Sequence, residues 1–370
     1  MQNQSKNHST ETTAISVNYH TESLLAGLHA SLSWQDTVAE LIVVDNSGTA
    51  SRSVPTTRSH PPIRMLSPGE NLGYAAAVNR ALEHTRTRWV LLLNPDARLC
   101  PNALERLRET AAGTRTPLCG PRFYWDDPRH FRMPPAPGDH PSLATAFEAA
   151  GHQRIESTLL DHTWQIRHQH FWRQTQAFPE PFLSGACLLL DLDWFEKTGE
   201  PVFDERFFLY YEDTDLCLRL LQRGIFPRVA PAAEAIHYFD QSPDPSTGKA
   251  ELLARARRQY YRKHFRDLPP PLPLDSDPSP APPDLGERSD PPVFAVAASD
   301  SPVYLELALN PWFVPFIQTQ VTGTEYLLPA PVWRRLAPGR YFARTRDPAG
   351  EVSGRWSWAK VQNKSPSPIV

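Results

Sequence analysis

Acidic residues stand where apolar strands are predicted to end or a helix to begin, and carboxylates in such places can do chemistry. Asp45 and Asp96 each end an apolar run. Glu212, Asp213 and Asp215 lie within four residues at a predicted helix start, directly after an aromatic run. Carboxylates at strand ends suit sugar hydroxyls, a base edge or a hard divalent cation. A carboxylate beside an apolar aromatic wall has a raised pKa and suits a general base.

An asparagine and glycine turn precedes an alanine-rich stretch that is predicted to be helical. Asn71 and Gly73 form the turn, and Asn79 lies in the helix. Gly73 permits close approach of the backbone to a ligand. Because backbone N–H groups at a helix start bind anions, this turn suits the phosphates of a nucleotide.

Each of these features also has a purely structural interpretation. The Asn-Pro-Asp sequence that ends at Asp96 can be a strand-end turn, and Asp45 can form an Asx turn with the two residues after it. One of the acids at the helix start can serve as a dipole cap. Asn79 can simply brace a loop, and a lone histidine such as His237 is often structural.

The elements that position these residues are predicted to alternate along the first hundred residues. Alternating strands and helices imply a parallel sheet, with ligands at the carboxyl ends of its strands. The predicted strands are Ala14 to Tyr19, Leu41 to Asp45, Ile63 to Leu66 and Trp89 to Leu93, and the predicted helices are Glu22 to Leu32, Tyr74 to Thr85 and Pro101 to Ala112. Further along, strands are predicted at Phe182 to Leu190 and Ile225 to Val229, and helices at Leu216 to Gln222 and Lys249 to Phe265.

Composition bounds the class of protein. The chain has 370 residues, 40% of them hydrophobic, and a net charge of −3, which gives no support to a nucleic-acid partner. No apolar run is long enough to cross a bilayer, and the polar N-terminus does not resemble a signal peptide. The four cysteines show no CxxC pairing, so reduced core thiols in a cytoplasmic protein are expected.

Changes in composition divide the chain. Residues 1–13 are expected to form a disordered tail, and residues 14–266 an α/β domain. Residues 267–292 contain ten prolines in 26 positions and are expected to be a linker without helix or sheet. Residues 293–363 carry alternating strand patterns between proline and glycine turns. Between Tyr124 and Pro181 there is little periodicity, and this stretch is hard to assign.

Four motifs in fixed order carry a resemblance to a known family. They are VVDNSG from Val43, NLGYAAAVNRAL from Asn71, LLLNPDA from Leu91 and FDERFFLYYEDTDLCLR from Phe203. In this order they resemble the family 2 glycosyltransferases, in particular the bacterial rhamnosyltransferase-like branch, over roughly residues 14 to 265. The last part of the chain resembles a small fibronectin type III-like β-sandwich, although it is short for that fold.

The resemblance implies a fold and a set of site residues. The fold is α/β of the GT-A type, a Rossmann-like sheet with helices on both faces, followed by a small all-β sandwich. Asp213 would be the catalytic base. The implied acceptor-binding residues are Glu212, Gly185 and Ala186; the implied nucleotide-sugar ligands are Asn18, Asp45, Asn71, Gly73, Asn79 and Asn94; the implied metal ligands are Asp96 and His237.

One departure from the family pattern concerns the metal. Many relatives carry Asp-x-Asp where this chain has Asn94, Pro95 and Asp96, so one carboxylate is lost and weaker metal binding is expected. Asn-Pro-Asp is nevertheless common in the rhamnosyltransferase-like branch. A hard cation with oxygen ligands fits, so the expected cofactor is Mg²⁺ or Mn²⁺.

The implied activity is inverting transfer of a sugar from a nucleotide-diphospho-sugar to a glycan or lipid-linked acceptor of bacterial surface polysaccharide. In the family the stretch from Tyr124 to Pro181 often covers the acceptor; an irregular connection is the alternative. The arginines Arg255, Arg257, Arg258 and Arg262 suggest either peripheral contact with the inner face of the membrane or a solvated helix face. The rival functions are a non-catalytic carbohydrate-binding or scaffold protein on a degenerate transferase fold, and a glycoside hydrolase, which the nucleotide motifs disfavour.

Overall fold

The computed structural model describes residues 9–48, 60–136, 157–238, 241, 248–266, 282–313 and 315–361. The chain divides into two compact units that are interleaved in sequence. The first unit comprises Met1–Phe123, Pro135–Thr145 and Gln174–Pro271, and the second comprises Tyr124–Pro134, Ala146–Arg173 and Leu272–Val370.

One half of the sheet in the first unit is parallel, as the alternation of strands and helices predicts. Its strand order is β3-β2-β1-β4, and the helices α1 and α2 connect these strands. The strands are β1 (Ser9–Asn18), β2 (Val38–Asp45), β3 (Ile63–Leu66) and β4 (Thr87–Leu93), and the helices are α1 (Glu22–Leu32) and α2 (Tyr74–Leu82). Asn18 pairs with Asp45 in register, so both strands present polar side chains at the same edge.

The other half of the sheet is antiparallel, which the sequence did not predict. An apolar run such as β8 carries no signal of direction, and β8 returns antiparallel beside β4. The order continues β8-β6-β9-β5, and β7 pairs with β9. The strands are β5 (Ala97–Leu99), β6 (Leu118–Tyr124), β7 (Phe178–Pro179), β8 (Cys187–Asp191) and β9 (Arg228–His237), with helices α3 (Ala103–Thr114), α5 (Leu192–Thr198), α6 (Glu212–Gln222) and α7 (Lys249–Phe265).

The core of the first unit lies on the apolar strands. Val43, Leu91 and Leu93 are fully buried within it, together with Leu28 of α1 and Leu107 of α3. All four cysteines are buried and free. No helix among the described residues is long and apolar enough to span a membrane.

The second unit contains an open sheet of order β10-β16-β15-β12-β13 and a small hairpin of β11 with β14. Its core includes Trp125, Phe131, Phe294 and Trp358. The strands are β10 (Asp284–Arg288), β11 (Val293–Ala295), β12 (Val303–Ala308), β13 (Ile317–Val321), β14 (Glu325–Leu327), β15 (Gly339–Arg346) and β16 (Val352–Lys360), with helices α4 (Ser157–Arg173) and α8 (Ala330–Arg335).

Three expectations about segments need correction. Residues 9–13, expected in a disordered tail, begin β1, since this threonine-rich stretch pairs with β2 and β4. The expected linker contains β10, because residues 284–288 lack proline and pair with β16. The stretch from Tyr124 to Pro181 contains the 17-residue helix α4. Residues 267–281 lie outside the described residues, and the remaining domain boundaries stay a prediction.

Candidate active site

The ends of β1 and β2 form one polar corner of the first unit. Asn18 is fully buried and donates hydrogen bonds from Nδ2 to Asp45 Oδ1 and to Glu22 Oε1, both at 3.0 Å. Asp45 Oδ1 also accepts from the backbone N–H of Ser47 at 3.0 Å, which is the Asx turn of the structural interpretation. The hydrogen bond from Asn18 lowers the pKa of Glu22 although burial opposes this. The corner is therefore held by side-chain hydrogen bonds and contains two carboxyl groups.

The turn before α2 lies beside this corner. Asn46 donates from Nδ2 to the carbonyl oxygen of Gly73 at 2.9 Å, and Asn71 Oδ1 accepts from the Gly73 N–H at 2.9 Å. Gly73 has φ of +81°, a region that L side chains disfavour. A Cβ there would lie 2.4 Å from the carbonyl oxygen of Phe208, so the turn and the loop before α6 touch at backbone level.

The end of β4 brings Asp96 to His237 at the end of β9. The register of β5 with β9 pairs Ala97 with His237, and His237 Nε2 lies 3.5 Å from Asp96 Oδ1. Burial raises the pKa of Asp96, but the hydrogen bond and charge of His237 outweigh it, so this pKa lies below its usual value. The two implied metal ligands are thus adjacent and buried.

The start of α6 holds two carboxyl groups in different surroundings. Asp213 Oδ2 accepts from the N–H of Gly185 at 2.8 Å, and its Oδ1 accepts from the N–H of Thr214 at 2.7 Å. Burial raises the pKa of Asp213. Glu212 is more deeply buried, and burial together with the charge of Asp213 raises the pKa of Glu212 to about 8. At neutral pH Glu212 is therefore mainly protonated.

Hydrogen bonds connect these four places. Tyr74, the first residue of α2, donates from its hydroxyl to the carbonyl oxygen of Gly185 at 3.3 Å. Asn94 donates its backbone N–H to the carbonyl oxygen of Ala186 at 2.9 Å. The predicted strand over Phe182 to Leu190 begins only at Cys187, which leaves Gly185 and Ala186 in a loop whose polar groups face neighbours. Through these hydrogen bonds the loop contacts the end of β4 and the first turns of α2 and α6.

Two of the residues assigned from sequence serve other contacts. Asn79 donates from Nδ2 to the carbonyl oxygen of Phe203 and to Glu205, both at 3.0 Å, so it braces the loop before α6. Asn71 is exposed, and the recorded partner of its side chain is the Gly73 N–H. Asp215 instead contacts Arg219 of α6 and Lys263 and His264 of α7.

Three buried polar atoms at this edge have no hydrogen-bond partner among the described residues. They are Asn46 Oδ1, Asn94 Oδ1 and Glu212 Oε2. A buried polar atom without a partner costs free energy unless a ligand or water satisfies it. All three belong to the motifs singled out from sequence, and together they mark the place where a polar ligand fits.

The sequence analysis missed Tyr74, Lys263 and His264. Burial, followed by the charges of Glu212 and Asp213, raises the pKa of Tyr74 well above its usual value, so its hydroxyl stays a donor. Its place next to the Gly73 turn was a usable signal. Lys263 and His264 contact Asp215 at 2.5 and 2.6 Å, and no sequence spacing connects them to α6.

Parts of the chain are similar in sequence to known proteins. Residues 13–199 match the family model described as Glycosyl transferase family 2. The chain is 30% identical over 256 residues to N-acetylglucosaminyl-diphospho-decaprenol L-rhamnosyltransferase of Mycobacterium tuberculosis, covering 65% of this chain and 78% of that one. It is 26% identical over 227 residues to the low-salt glycan biosynthesis hexosyltransferase Agl10 of Haloferax volcanii, covering 60% of this chain and 66% of that one.

Among solved structures, a mannosyltransferase from Pyrobaculum calidifontis in complex with GDP-Man and Mn²⁺ is similar with a TM-score of 0.43 and 15% identity. That match covers 73% of this chain and 70% of the other.

Proposed function

The chain belongs to glycosyl transferase family 2 and has the GT-A α/β fold, and we propose that it transfers a hexosyl group, with inversion, from a nucleotide-diphospho-sugar to a hydroxyl of a glycan or lipid-linked acceptor. The observation that carries this proposal is that hydrogen bonds link the polar groups at the strand ends with those at the starts of α2 and α6. Hydrogen bonds run from the β2 end through Asn46 to Gly73 and from Tyr74 through Gly185 to Asp213. A nucleotide corner and a candidate base thus share one site.

Asp213 is the proposed general base. The acceptor hydroxyl gives its proton to the Asp213 carboxylate while its oxygen bonds to the anomeric carbon. The bond from that carbon to the diphosphate breaks, and the nucleoside diphosphate leaves with the electron pair. The N–H groups of Gly185 and Thr214 fix the carboxylate. Burial raises the pKa of Asp213, which strengthens it as a proton acceptor.

Glu212 is proposed to bind the acceptor. Its Oε2 is buried without a partner among the described residues, and its raised pKa of about 8 keeps it protonated at neutral pH. A protonated carboxyl can donate a hydrogen bond as well as accept one, which suits a sugar hydroxyl. Gly185 and Ala186 are proposed to line the same side.

Asn18, Asp45 and the turn of Asn71 and Gly73 are the proposed nucleotide corner, with Asn94 beside it. Asn46 Oδ1 and Asn94 Oδ1 are the unpartnered acceptors there. Asn79 fits this set less well because both ends of its amide contact the loop before α6.

The residues at the β4 end fit a divalent cation. Asp96, His237 and Asn94 Oδ1, which has no hydrogen-bond partner within the described part of the chain, supply oxygen and nitrogen ligands that suit Mg²⁺ or Mn²⁺. No group of three or more His, Cys, Asp or Glu ligands occurs among the described residues, so the diphosphate would complete the coordination. A bound cation would neutralise charge developing on the leaving diphosphate.

Rhamnose is the proposed sugar, and a diphospho-polyprenol-linked glycan the proposed acceptor. The support is the name of the mycobacterial relative, an L-rhamnosyltransferase that acts on a diphospho-decaprenol compound. The cytoplasmic location and the peripheral membrane contact of the arginine-rich helix α7 stay predictions.

A fibronectin type III-like sandwich is the proposed identity of the second unit. Its support is the Tyr341 hydroxyl, which donates to the carbonyl oxygen of Ala337 at 2.8 Å. A tyrosine on a late strand that bonds back a few residues upstream is a feature of such sandwiches.

A donor screen tests the function. Purified protein is given dTDP-rhamnose, UDP-N-acetylglucosamine or GDP-mannose, with and without a diphospho-polyprenol-linked acceptor, in Mg²⁺, Mn²⁺ or EDTA, and nucleoside diphosphate release is measured. We expect acceptor-dependent release with one donor and its loss in EDTA. Binding of glycan without release from any donor would favour the non-catalytic alternative. Full release in EDTA would remove the metal from the proposal.

The Asp213→Asn variant tests the base. We expect turnover to fall by about 10²- to 10⁴-fold, because the carboxylate no longer accepts the proton. Donor affinity should stay nearly unchanged, since the nucleotide corner lies elsewhere. The exposed acid Asp36, changed to asparagine, is the matched control. Near-normal turnover of Asp213→Asn would show that this acid only caps the helix.

A further inference from the structure

We infer that Lys263 and His264 of α7 are positioning residues for the catalytic base: they hold the buried Asp215 and so fix the first turn of α6, which carries Asp213. The inference rests on the proposed role of Asp213, and it concerns two residues that lie outside the four sequence motifs. It gives α7 a role in turnover that is separate from its exposed arginines.

Asp215 is the point of attachment. Its side chain is fully buried and contacts Lys263, His264 and Arg219. Lys263 Nζ lies 2.5 Å and His264 Nε2 2.6 Å from Oδ1, while Arg219 Nε lies 2.8 Å from Oδ2. Burial raises the pKa of Asp215, but these partners outweigh it and its pKa lies below the usual value. The carboxylate is thus ionised, and both oxygens are occupied.

The attachment is not a helix cap. The backbone N–H of Asp215 already donates to the carbonyl oxygen of Tyr211 at 2.8 Å inside α6. Arg219 is on α6 itself, so among the described residues Lys263 and His264 are the side chains that connect Asp215 to another element. Lys263 also lies 2.7 Å from Asp204, which belongs to the loop that leads into α6. One lysine therefore fixes the loop and the helix together.

The loop before α6 needs such support. Tyr210 and Tyr211 are consecutive non-glycine residues with φ of +70° and +67°. Such backbone conformations are unfavourable for L residues and persist only where the surroundings enforce them. The ring of Tyr211 packs on Tyr260 of α7 at 5.2 Å between centroids, and Lys263 Nζ lies 5.6 Å from the ring centroid of Phe207. Helix α7 thus holds the strained pair as well as Asp215.

We therefore expect the loss of this attachment to slow the chemical step much more than it weakens donor binding. Asp213 lies two residues from Asp215, and its carboxylate must keep the 2.8 Å hydrogen bond to the Gly185 N–H. A displacement of about 1 Å at a reacting group can cost roughly 10²-fold in rate. Among the described residues, neither Lys263 nor His264 contacts Asn18 or Asp45, and the Gly73 turn meets the loop before α6 at the backbone of Phe208, so donor affinity should fall far less than kcat.

The test compares Lys263→Met with Arg262→Met. Arg262 is the adjacent residue, is exposed, and has no ion pair among the described residues, so its variant removes the same charge from the same helix. We expect Lys263→Met to lower kcat for transfer by about 10- to 100-fold with a donor Kd within twofold of the wild type. With a water-soluble acceptor, whose transfer does not depend on membrane contact of α7, Lys263→Arg should restore most of the turnover, and Arg262→Met should behave as wild type.

Hydrogen exchange gives a readout independent of activity. In Lys263→Met and in the milder His264→Gln, amides of residues 208–216 should exchange faster than in Arg262→Met, while those of β1 and β2 stay protected. Unchanged exchange there, or a kcat equal to that of Arg262→Met, would overturn the inference. So would a donor Kd that weakens in proportion to kcat. If the wild type transfers nothing but the exchange pattern holds, the proposed function fails and the structural attachment stands.

Discussion

Glu212 and Asp213 are neighbours in sequence but differ in what surrounds their carboxyl groups. Asp213 accepts two backbone hydrogen bonds that favour its ionised form. Glu212 Oε2 has no partner among the described residues, and the charge of Asp213 adds to the cost of ionising it. One carboxyl group is therefore suited to accept a proton and the other to hold one, which is how adjacent acids take different roles.

The raised pKa of Glu212 predicts how stability depends on pH. Its carboxyl titrates near pH 8 in the folded protein and near 4.5 in the unfolded chain. Between these values the folded state holds a proton that the unfolded state has released, so stability falls as pH rises through this window. The Glu212→Gln variant cannot ionise. We expect its melting temperature to rise relative to the wild type between about pH 5 and pH 8.

Thermal unfolding at a series of pH values measures this difference. Below the unfolded pKa both proteins are neutral at this position, so the difference there reflects only the amide. Glu180→Gln is a control because it removes another buried glutamate of the same unit. If the difference in melting temperature between Glu212→Gln and the wild type stays constant across this pH range, Glu212 is ionised in the folded protein.

At the scale of residues, the sequence indicated candidate acids but not the side chains around them. Asp45 and Asp96 follow from apolar runs that end in a carboxylate, and Asp213 from an acidic cluster at a predicted helix start. The deep burial of Glu212 does not follow, because burial depends on tertiary packing that the local sequence does not specify. Lys263 lies 48 positions after Asp215, and no local pattern indicates that contact.

Helix α2 is positioned by a contact that only glycine permits. Gly73 has φ of +81°, and an added Cβ would meet the Phe208 carbonyl oxygen at 2.4 Å. The next residue, Tyr74, donates its N–H to the same oxygen at 2.6 Å. The start of α2 and the loop before α6 therefore share one backbone contact.

The Gly73→Ala variant should be destabilised by more than about 1 kcal/mol, because both the φ value and the Phe208 backbone oppose a side chain. Gly113→Ala is the matched control. Gly113 lies exposed in α3 with no atom within 4 Å of an added Cβ, so alanine there should stabilise the helix by roughly 0.5–1 kcal/mol. Denaturant unfolding of the two variants checks the signs. A Gly73→Ala variant as stable as wild type would mean that the contact with Phe208 yields easily.

At the scale of elements, local pattern predicted β1 to β4, α1 and α2 because each repeats an apolar period. It did not predict that β8 is antiparallel. It also did not predict α4, whose polar and apolar residues do not separate into clear faces. Asp161 and Gln165 of α4 are satisfied by arginines of β15, about 180 positions later, so α4 depends on tertiary contacts.

The second unit is assembled from distant parts of the chain. Trp125 and Phe131 lie in its apolar core, and Arg132 exchanges backbone hydrogen bonds with Gln318 of β13 at 2.7 and 2.9 Å. Arg344 of β15 is buried between Asp161 of α4 and Glu306 of β12. Arg346 pairs with the same Asp161. The strands after residue 282 thus form one unit with residues that precede β8.

This assembly predicts what a cut in the proline-rich stretch will do. A protease site inserted at residues 274–277 should be cleaved, yet the two pieces should stay together in size-exclusion chromatography. The reason is that α4 and the strands share a core and a buried ion cluster.

Removing one member of such a cluster costs about 3–5 kcal/mol, whereas an exposed pair is worth about 0–1 kcal/mol. Arg344→Met should therefore make the cleaved pieces separate. Arg340→Met, on the same strand but in an exposed pair with Asp284, should leave them joined. Separation of the cleaved wild-type pieces without denaturant would show that the strands after residue 282 fold and act as an independent module.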